Sequence, residues 1–452
     1  MDFFQHFLSH LTAAVGRPVG ASGVEIVSSD RLPSAFAVTD LAVASIASAG
    51  LAIRRLVGTD ADVRVDQRLA GLWFGSTLAP RGWTLPPQWD DLAGVYETAD
   101  GFVRLHTNAP HHRAAALRVL GCREDRATVA EVVAQWAAEE LESALADAHG
   151  VGAALRSRSA WLEHPQGLAL QSEPLVHRES HGASIVRSRR PSAARPLAGV
   201  RVLDLTRVLA GPVATRLLAG LGADVLRIDP PTWSESGVAA EVNLGKRCAR
   251  LDLRSRDDRG VFEERLAEAD ILVHGYRRDA LEGLGYGASE RRALRPSLVD
   301  VSLNAWGHTG PWGDRRGFDS IVQIAGGIAH HGMVACGTES PRSLPVQALD
   351  HATGYTLAAC ALHGWADLQE HGRASTWRTS LAAHAELLWS SVGDADLERD
   401  FRPLGGGDLA AEEEATSWGP ARRARPPLDV HDVDLVWPNG AADHGTSEAT
   451  WR

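Results

Sequence analysis

The sequence predicts an α/β protein in which an open, mostly parallel, Rossmann-like sheet domain is joined to a second, smaller α/β domain. Three observations carry this. Residues 175–196 are rich in Ser, Arg, His and Pro with little apolar periodicity, the composition of a linker. Downstream of them, short apolar runs alternate with segments of helical length, the pattern of a parallel sheet covered by helices. Upstream, Val95 to His106 reads as a hairpin-like pair.

Taken in order, residues 1–90 form an N-terminal, mainly helical segment. Residues 91–174 form the small α/β domain, with the hairpin, a helical stretch from Val129 to Ala146 and a His-Pro-Gln turn at His164. Residues 197–400 form the sheet domain. Its strands are expected at Val200–Leu205, Val225–Ile228, Ile271–Val273 and Leu298–Leu303, with helices at about Pro212–Leu221 and Val261–Ala267. Residues 401–452 form a polar, loop-rich tail with an acidic run at Glu412–Glu414. No Gly-x-Gly-x-x-Gly follows the Val200 strand, which weakens a nicotinamide or flavin reading.

The stretch Leu-Asp-His-Ala-Thr-Gly-Tyr, Leu349 to Tyr355, opens a helix of small residues (Ala352, Gly354, Ala358, Ala359, Ala361, Gly364). On these residues alone the plainer reading of Asp350 is a helix N-cap. The sharper one is a nucleophile, kept ionised by the helix dipole and able to attack a thioester carbonyl. An internal echo, Thr39 to Gly50, repeats the helix with Asp40 in the place of Asp350. It lacks the Thr-Gly that follows, so Asp40 is expected to be a structural N-cap.

Composition narrows the function classes. At 452 residues, 44% hydrophobic and 23% charged, the chain has the make-up of globular protein. A formal net charge of -11 argues against a nucleic-acid partner. No apolar stretch of membrane-spanning length appears and the N-terminus lacks the features of an export signal, so a cytoplasmic protein without a membrane partner is expected. Cys122, Cys248, Cys336 and Cys360 show neither zinc nor disulfide spacing. The pairs His111-His112 and His330-His331 would face opposite ways on a strand, and no carboxylate spacing accompanies them, so no metal is expected.

Seven segments occur in a telling order. They are Pro196 to Pro212, Leu221 to Asp229, Asn243 to Arg247 with Leu-Asp-Leu after it, Ala269 to Gly285, the Gly-His-Thr-Gly-Pro loop from Gly307, Arg316 to Asp319, and the Asp350 heptapeptide. Together they resemble the family III CoA-transferases, the superfamily of formyl-CoA and carnitine-CoA transferases, with a small domain that comes first and a permuted or partly duplicated order. The resemblance implies Asp350 as the catalytic nucleophile and CoA transfer, of the EC 2.8.3 type, between an acyl-CoA thioester and a carboxylic acid through an aspartyl intermediate. Coenzyme A is then a substrate and not a permanent cofactor, and the partner is a second copy in an interlocked homodimer.

For the CoA phosphates and pantetheine arm, a site needs helix N-termini, cations and a narrow groove. Val208, Leu209 and Ala210 lead from a strand into a helix, where Gly211 permits close approach and Pro212 suits a first helical turn. Lys246 and Arg247 follow a glycine turn, and Tyr276 and Arg277 follow a buried strand. Val208, Leu209, Ala210, Lys246, Arg247, Tyr276 and Arg277 are the candidate CoA contacts. Gly405, Gly406 and Gly407 are the candidate oxyanion loop, since the family lays a glycine-rich loop over its aspartate.

This chain departs from the family pattern at Leu209, at Gly275 to Asp279 and at Gly283, which keeps open a degenerate homologue that binds CoA esters or serves as an oligomer partner without catalysis. The superfamily's 2-methylacyl-CoA racemases are the other enzymatic alternative. They carry Gly-His-Asp where this chain has Gly317-Phe318-Asp319, and a phenyl ring takes no proton.

Overall fold

The computed structural model describes residues 2–20, 22–183, 192–277, 280–392, 397 and 399–452. Its centre is a seven-stranded sheet in the order Arg247–Arg250, Asp224–Asp229, Arg201–Leu205, Ile271–His274, Val299–Asn304, Arg373–Ser380, His177–Ala183. The first six run parallel and the last is antiparallel to its neighbour. Counted along the chain, the parallel strands lie 3-2-1-4-5-6, the doubly wound order that opens a crevice where the direction of winding reverses. Here that point lies beside the C-terminal end of Arg201–Leu205.

The Ala348–His371 helix is buried along all but its last turn. It is packed between the Val38–Val57 helix, Ala210–Gly220 and the sheet. Small residues make this possible: a Cβ on Gly354 would sit 2.5 Å from the Ala210 carbonyl oxygen, and one on Gly364 2.6 Å from a Val299 methyl. Val24–Val27, Val63–Asp66 and Leu428–Val430 form a three-stranded sheet joining the two ends of the chain. The upstream unit has three antiparallel strands, Gly94–Glu97, Phe102–Leu105 and Gly152–Ala154. Its own core includes Tyr96, Val103, Leu105, Val129, Val133 and Leu141.

Several expectations are corrected. Within 175–196, read as a linker, His177–Ala183 is the edge strand of the main sheet; residues 184–191 lie outside the described residues. The single helix expected from Val129 to Ala146 is two, Arg126–Val133 and Ala138–Asp147. The break is stabilised from outside: Asp100 accepts the Ala138 amide at 2.8 Å and the Trp136 carbonyl accepts the Ala99 amide at 2.9 Å. Asp40 is no N-cap, since Ala37 holds that position; Asp40 is ion-paired with Arg31. The tail packs, with Leu428 and Val430 buried in the main core.

Candidate functional site

Asp350 stands in the first turn of the long helix, with Gln347 at the cap. The Asp319 carboxylate, itself buried, accepts the backbone N–H groups of Leu349 at 2.9 Å and Asp350 at 3.1 Å, and is held by the Gln323 amide. Asp319 therefore does the capping that Asp350 was expected to do. The two carboxyls are also electrostatic neighbours, which reverses the expected charge state. Burial, and then the charge of Asp319, push the Asp350 carboxyl well above the ordinary range, against a hydrogen bond from the Ala210 amide. Asp319 rises to about 6, chiefly by burial. A helix dipole contributes at most ~2 kcal/mol, whereas burial moves a carboxyl by up to several pKa units, each worth about 1.4 kcal/mol. Burial wins.

Asp350 opens into a cavity of about 550 Å³ at the C-terminal edge of the sheet. Of the residues singled out in the sequence, Val208, Ala210, Tyr276 and Arg277 line it with Asp350. Val208 has φ 64°, a left-handed conformation costly for a β-branched residue. It is held by Glu235, whose carboxylate accepts the Val208 amide at 2.8 Å and the Trp233 indole N–H at 3.0 Å. Burial alone would raise Glu235; the Arg227 and His444 charges outweigh it and bring the group to about 2. Gly211 allows the same turn to close, because a Cβ there would strike Thr206 at 2.2 Å.

The other candidates are elsewhere. The Leu209 side chain is buried with Val238 and Val242. Lys246 is sealed in the core, ion-paired to Asp204 at 2.9 Å and donating to the Pro212 carbonyl at 3.0 Å. Its charge holds the strand-to-helix turn together and is not offered to a ligand. Arg247 is spent on a two-pronged pair with Asp224, at 2.7 and 2.9 Å. Gly405, Gly406 and Gly407 form an exposed turn tied down through Asp408 to Arg68, 2.8 Å apart, and do not line the Asp350 cavity.

The structure adds residues that sequence reasoning passed over. Arg207 stacks on Trp233 and Tyr276, 4.7 and 5.2 Å from the ring centres, and Arg254, Arg315 and Arg316 join it around the cavity. His111 and His112 lie on a helix, not a strand, with ring centres 4.1 Å apart, and both face the cavity. Burial, and then His111, lower His112 to about 2, so it is neutral near pH 7. Phe318 is stacked on His106 with centroids 3.8 Å apart. Glu235 had a signal, a Trp-Ser-Glu run just past the strand ending at Asp229; Arg316 and Asp319 had theirs in the Arg-Gly-Phe-Asp segment. Among the described residues, Asp367, Glu370 and His371 are the one cluster with metal-like spacing. Asp367 is already engaged by Arg17, Arg55 and Arg178. No described helix is long and apolar enough to cross a membrane.

The chain is similar in sequence to known CoA-transferases. The chain is 28% identical over 396 residues to an acyl-CoA transferase of Gibberella moniliformis, a match covering 77% of this chain and 69% of that one. It is 29% identical over 242 residues to the human succinyl-CoA:glutarate CoA-transferase, covering 50% of this chain and 52% of that one. The chain thus spans about half the length of the human relative. A crystal structure of Rv3272 from Mycobacterium tuberculosis aligns with 44% of this chain and 58% of its own, at 27% identity and a TM-score of 0.39. Residues 197–406 match the sequence model of CoA-transferase family III, so that stretch of the chain is similar to this family.

Proposed function

We propose that the protein transfers CoA between an acyl-CoA thioester and a carboxylic acid, with Asp350 as the nucleophile. The observation that carries this reading is the place of Asp350, a carboxyl facing a cation-rimmed cavity at the reversal point of the sheet. Once Asp350 has given up its proton to solvent, its oxygen attacks the thioester carbonyl, the C–S bond breaks, and a mixed anhydride and CoA thiolate form. The thiolate attacks the aspartyl carbonyl, giving an aspartyl-CoA thioester and releasing the donor acid as its carboxylate. The acceptor carboxylate then attacks the aspartyl thioester and the two steps run in reverse, regenerating Asp350. Each tetrahedral intermediate needs a hydrogen-bond donor. The Ala210 amide, already aimed at the Asp350 carboxyl, is placed to supply one.

Incubation with an accepted acyl-CoA, followed by hydroxylamine, should convert Asp350 to a hydroxamate detectable by mass spectrometry. Asp350→Ala and Asp350→Asn should lose both adduct and exchange, since an amide lacks the nucleophilic anion. Full exchange by Asp350→Asn would defeat the covalent route. We further propose a cytoplasmic homodimer. Sedimentation at micromolar concentration should then show no stable monomer.

A further inference from the structure

We propose that His444 is a positioning residue: as a buried imidazolium it fixes the Glu235 carboxylate, and through it the strained Val208 turn that aims the Ala210 amide at Asp350; this rests on the transferase reading above. The buried charges around it do not balance without it. Arg227 donates to Asp229 at 2.8 and 3.1 Å and to Glu235 as well, so two sealed carboxylates share one guanidinium. Of the other ionisable groups nearby, Lys246 is matched to Asp204, the Cys248 thiol is held neutral by burial, and Arg250, packed against Gly445, donates to the Pro230, Pro231 and Trp233 carbonyls. The His444 side chain is 2% exposed and sets Nε2 3.5 Å from Glu235 and 3.9 Å from Asp229. Its Nδ1 lies 3.2 Å from Asp443. An ionised carboxylate only accepts hydrogen bonds, so a neutral ring would turn one lone pair toward an anion, whereas an imidazolium turns an N–H toward each. A buried negative charge left unpaired is costly, and the imidazolium removes it.

Glu235 carries that charge to the cavity. Its Oε1 faces Arg227 and His444, while its Oε2 accepts the Val208 amide and the Trp233 indole N–H. The left-handed Val208 backbone needs support from outside the turn to persist. Two residues further on, the Ala210 amide bonds the Asp350 carboxyl and favours its ionised form. A second tie holds the strap in the same place: the Asn243 side chain accepts from Arg227 at 2.8 Å and donates to the Ala442 carbonyl at 2.9 Å. His444 does not line the cavity, so its influence on the attacking acid runs through Glu235. With the imidazolium gone, Glu235 is left facing Asp229 with Arg227 as the one cation between them. Its hold on the Val208 amide then weakens, and the bond from Ala210 to Asp350 weakens with it.

The test reads the acid limb of the kcat/KM profile, which follows ionisation of the coupled Asp350 and Asp319 carboxyls in the free enzyme. His444→Gln should move that limb up by about one pH unit, the size of one hydrogen bond to a charged group. His444→Lys, which keeps a cation on the strap, should return part of the shift. A lowered kcat with an unmoved limb, or equal shifts in the two variants, would overturn the proposal. In a Glu235→Gln background, His444→Gln should add nothing; additive shifts would show that His444 acts by another route and would overturn it too. Nitrogen-15 NMR of the wild type needs no variant to fold: at pH 7 both His444 ring nitrogens should carry protons, and a neutral ring would sink the idea. If the wild type exchanged no CoA, the transferase reading would fall. Carbon-13 NMR titration of the Asp350 carboxyl in the wild type and in His444→Gln would still decide this one, with a higher midpoint expected in the variant and an unchanged midpoint overturning it.

Discussion

Asp319 and Asp350 hold one function between two acids. Asp319 caps the helix that presents Asp350, and the same negative charge makes Asp350 harder to ionise. Asp319→Asn separates these effects, because an amide oxygen still accepts the two N–H groups while the charge is gone. The acid limb of the kcat/KM profile should move to lower pH in Asp319→Asn; an unmoved limb would show that Asp319 acts by shape alone. Stability follows the same sign. A carboxyl whose folded pKa is raised contributes stability that is complete below its unfolded value, near 3.8, and is lost as pH rises through the folded one, about 6 for Asp319. Above that window the wild type carries the burden, and Asp319→Asn should be more stable at pH 7.5 by on the order of 1–3 kcal/mol in urea titration. Asp350 stands out in its heptapeptide, as cap or as nucleophile alike, since small residues around one carboxylate leave a local trace. Lys246 could not be excluded in that way: its partner Asp204 lies 42 positions earlier in the chain, and only the fold brings them together.

The long helix shows how small side chains aim an acid. Its contact with Ala210 at Gly354 leaves no room for a methyl group. Gly354→Val should force the helix away from the Ala210 turn, costing about 1–3 kcal/mol of stability and lowering kcat more than it changes KM for the CoA ester, as steady-state kinetics would show. Elements of the sheet interior announce themselves in sequence because both faces are buried; Val-Asp-Val-Ser-Leu-Asn at Val299–Asn304 is buried at every position. His177–Ala183 does not. It reads His-Arg-Glu-Ser-His-Gly-Ala, with the charge that an edge strand carries to discourage further pairing, and that polarity makes it look like linker. The division at Ala134–Ala137 was equally silent, since its cause, Asp100, sits in another element.

The final residues form a strap over Asn243, Cys248 and Glu235. Asn243 donates to the Ala442 carbonyl at 2.9 Å, the Ser447 amide donates to the Cys248 carbonyl at 2.9 Å, and His444 approaches Glu235 at 3.5 Å. Cys248 is buried beneath this strap, and burial pushes its thiol up to about 12. A maleimide should therefore spare Cys248 in the intact protein and label it after removal of residues 440–452, as peptide mapping would reveal; no labelling in the truncated protein would mean that other elements shield it.

The small sheet that pairs Val24–Val27 with Val63–Asp66 and Leu428–Val430 also sets an order of events during synthesis. Its third strand leaves the ribosome more than 360 residues after its partner strand begins at Val63. The Val38–Val57 helix packs early against Phe3–Ala14, but the face that meets the Ala348–His371 helix must wait for that helix to be synthesised. Such long-range closure is slow and leaves the nascent chain open to aggregation. The early helix therefore needs shielding until its late partners arrive, and soluble yield should depend on chaperone supply and on a lowered rate of synthesis more steeply than the stability of the finished molecule would suggest.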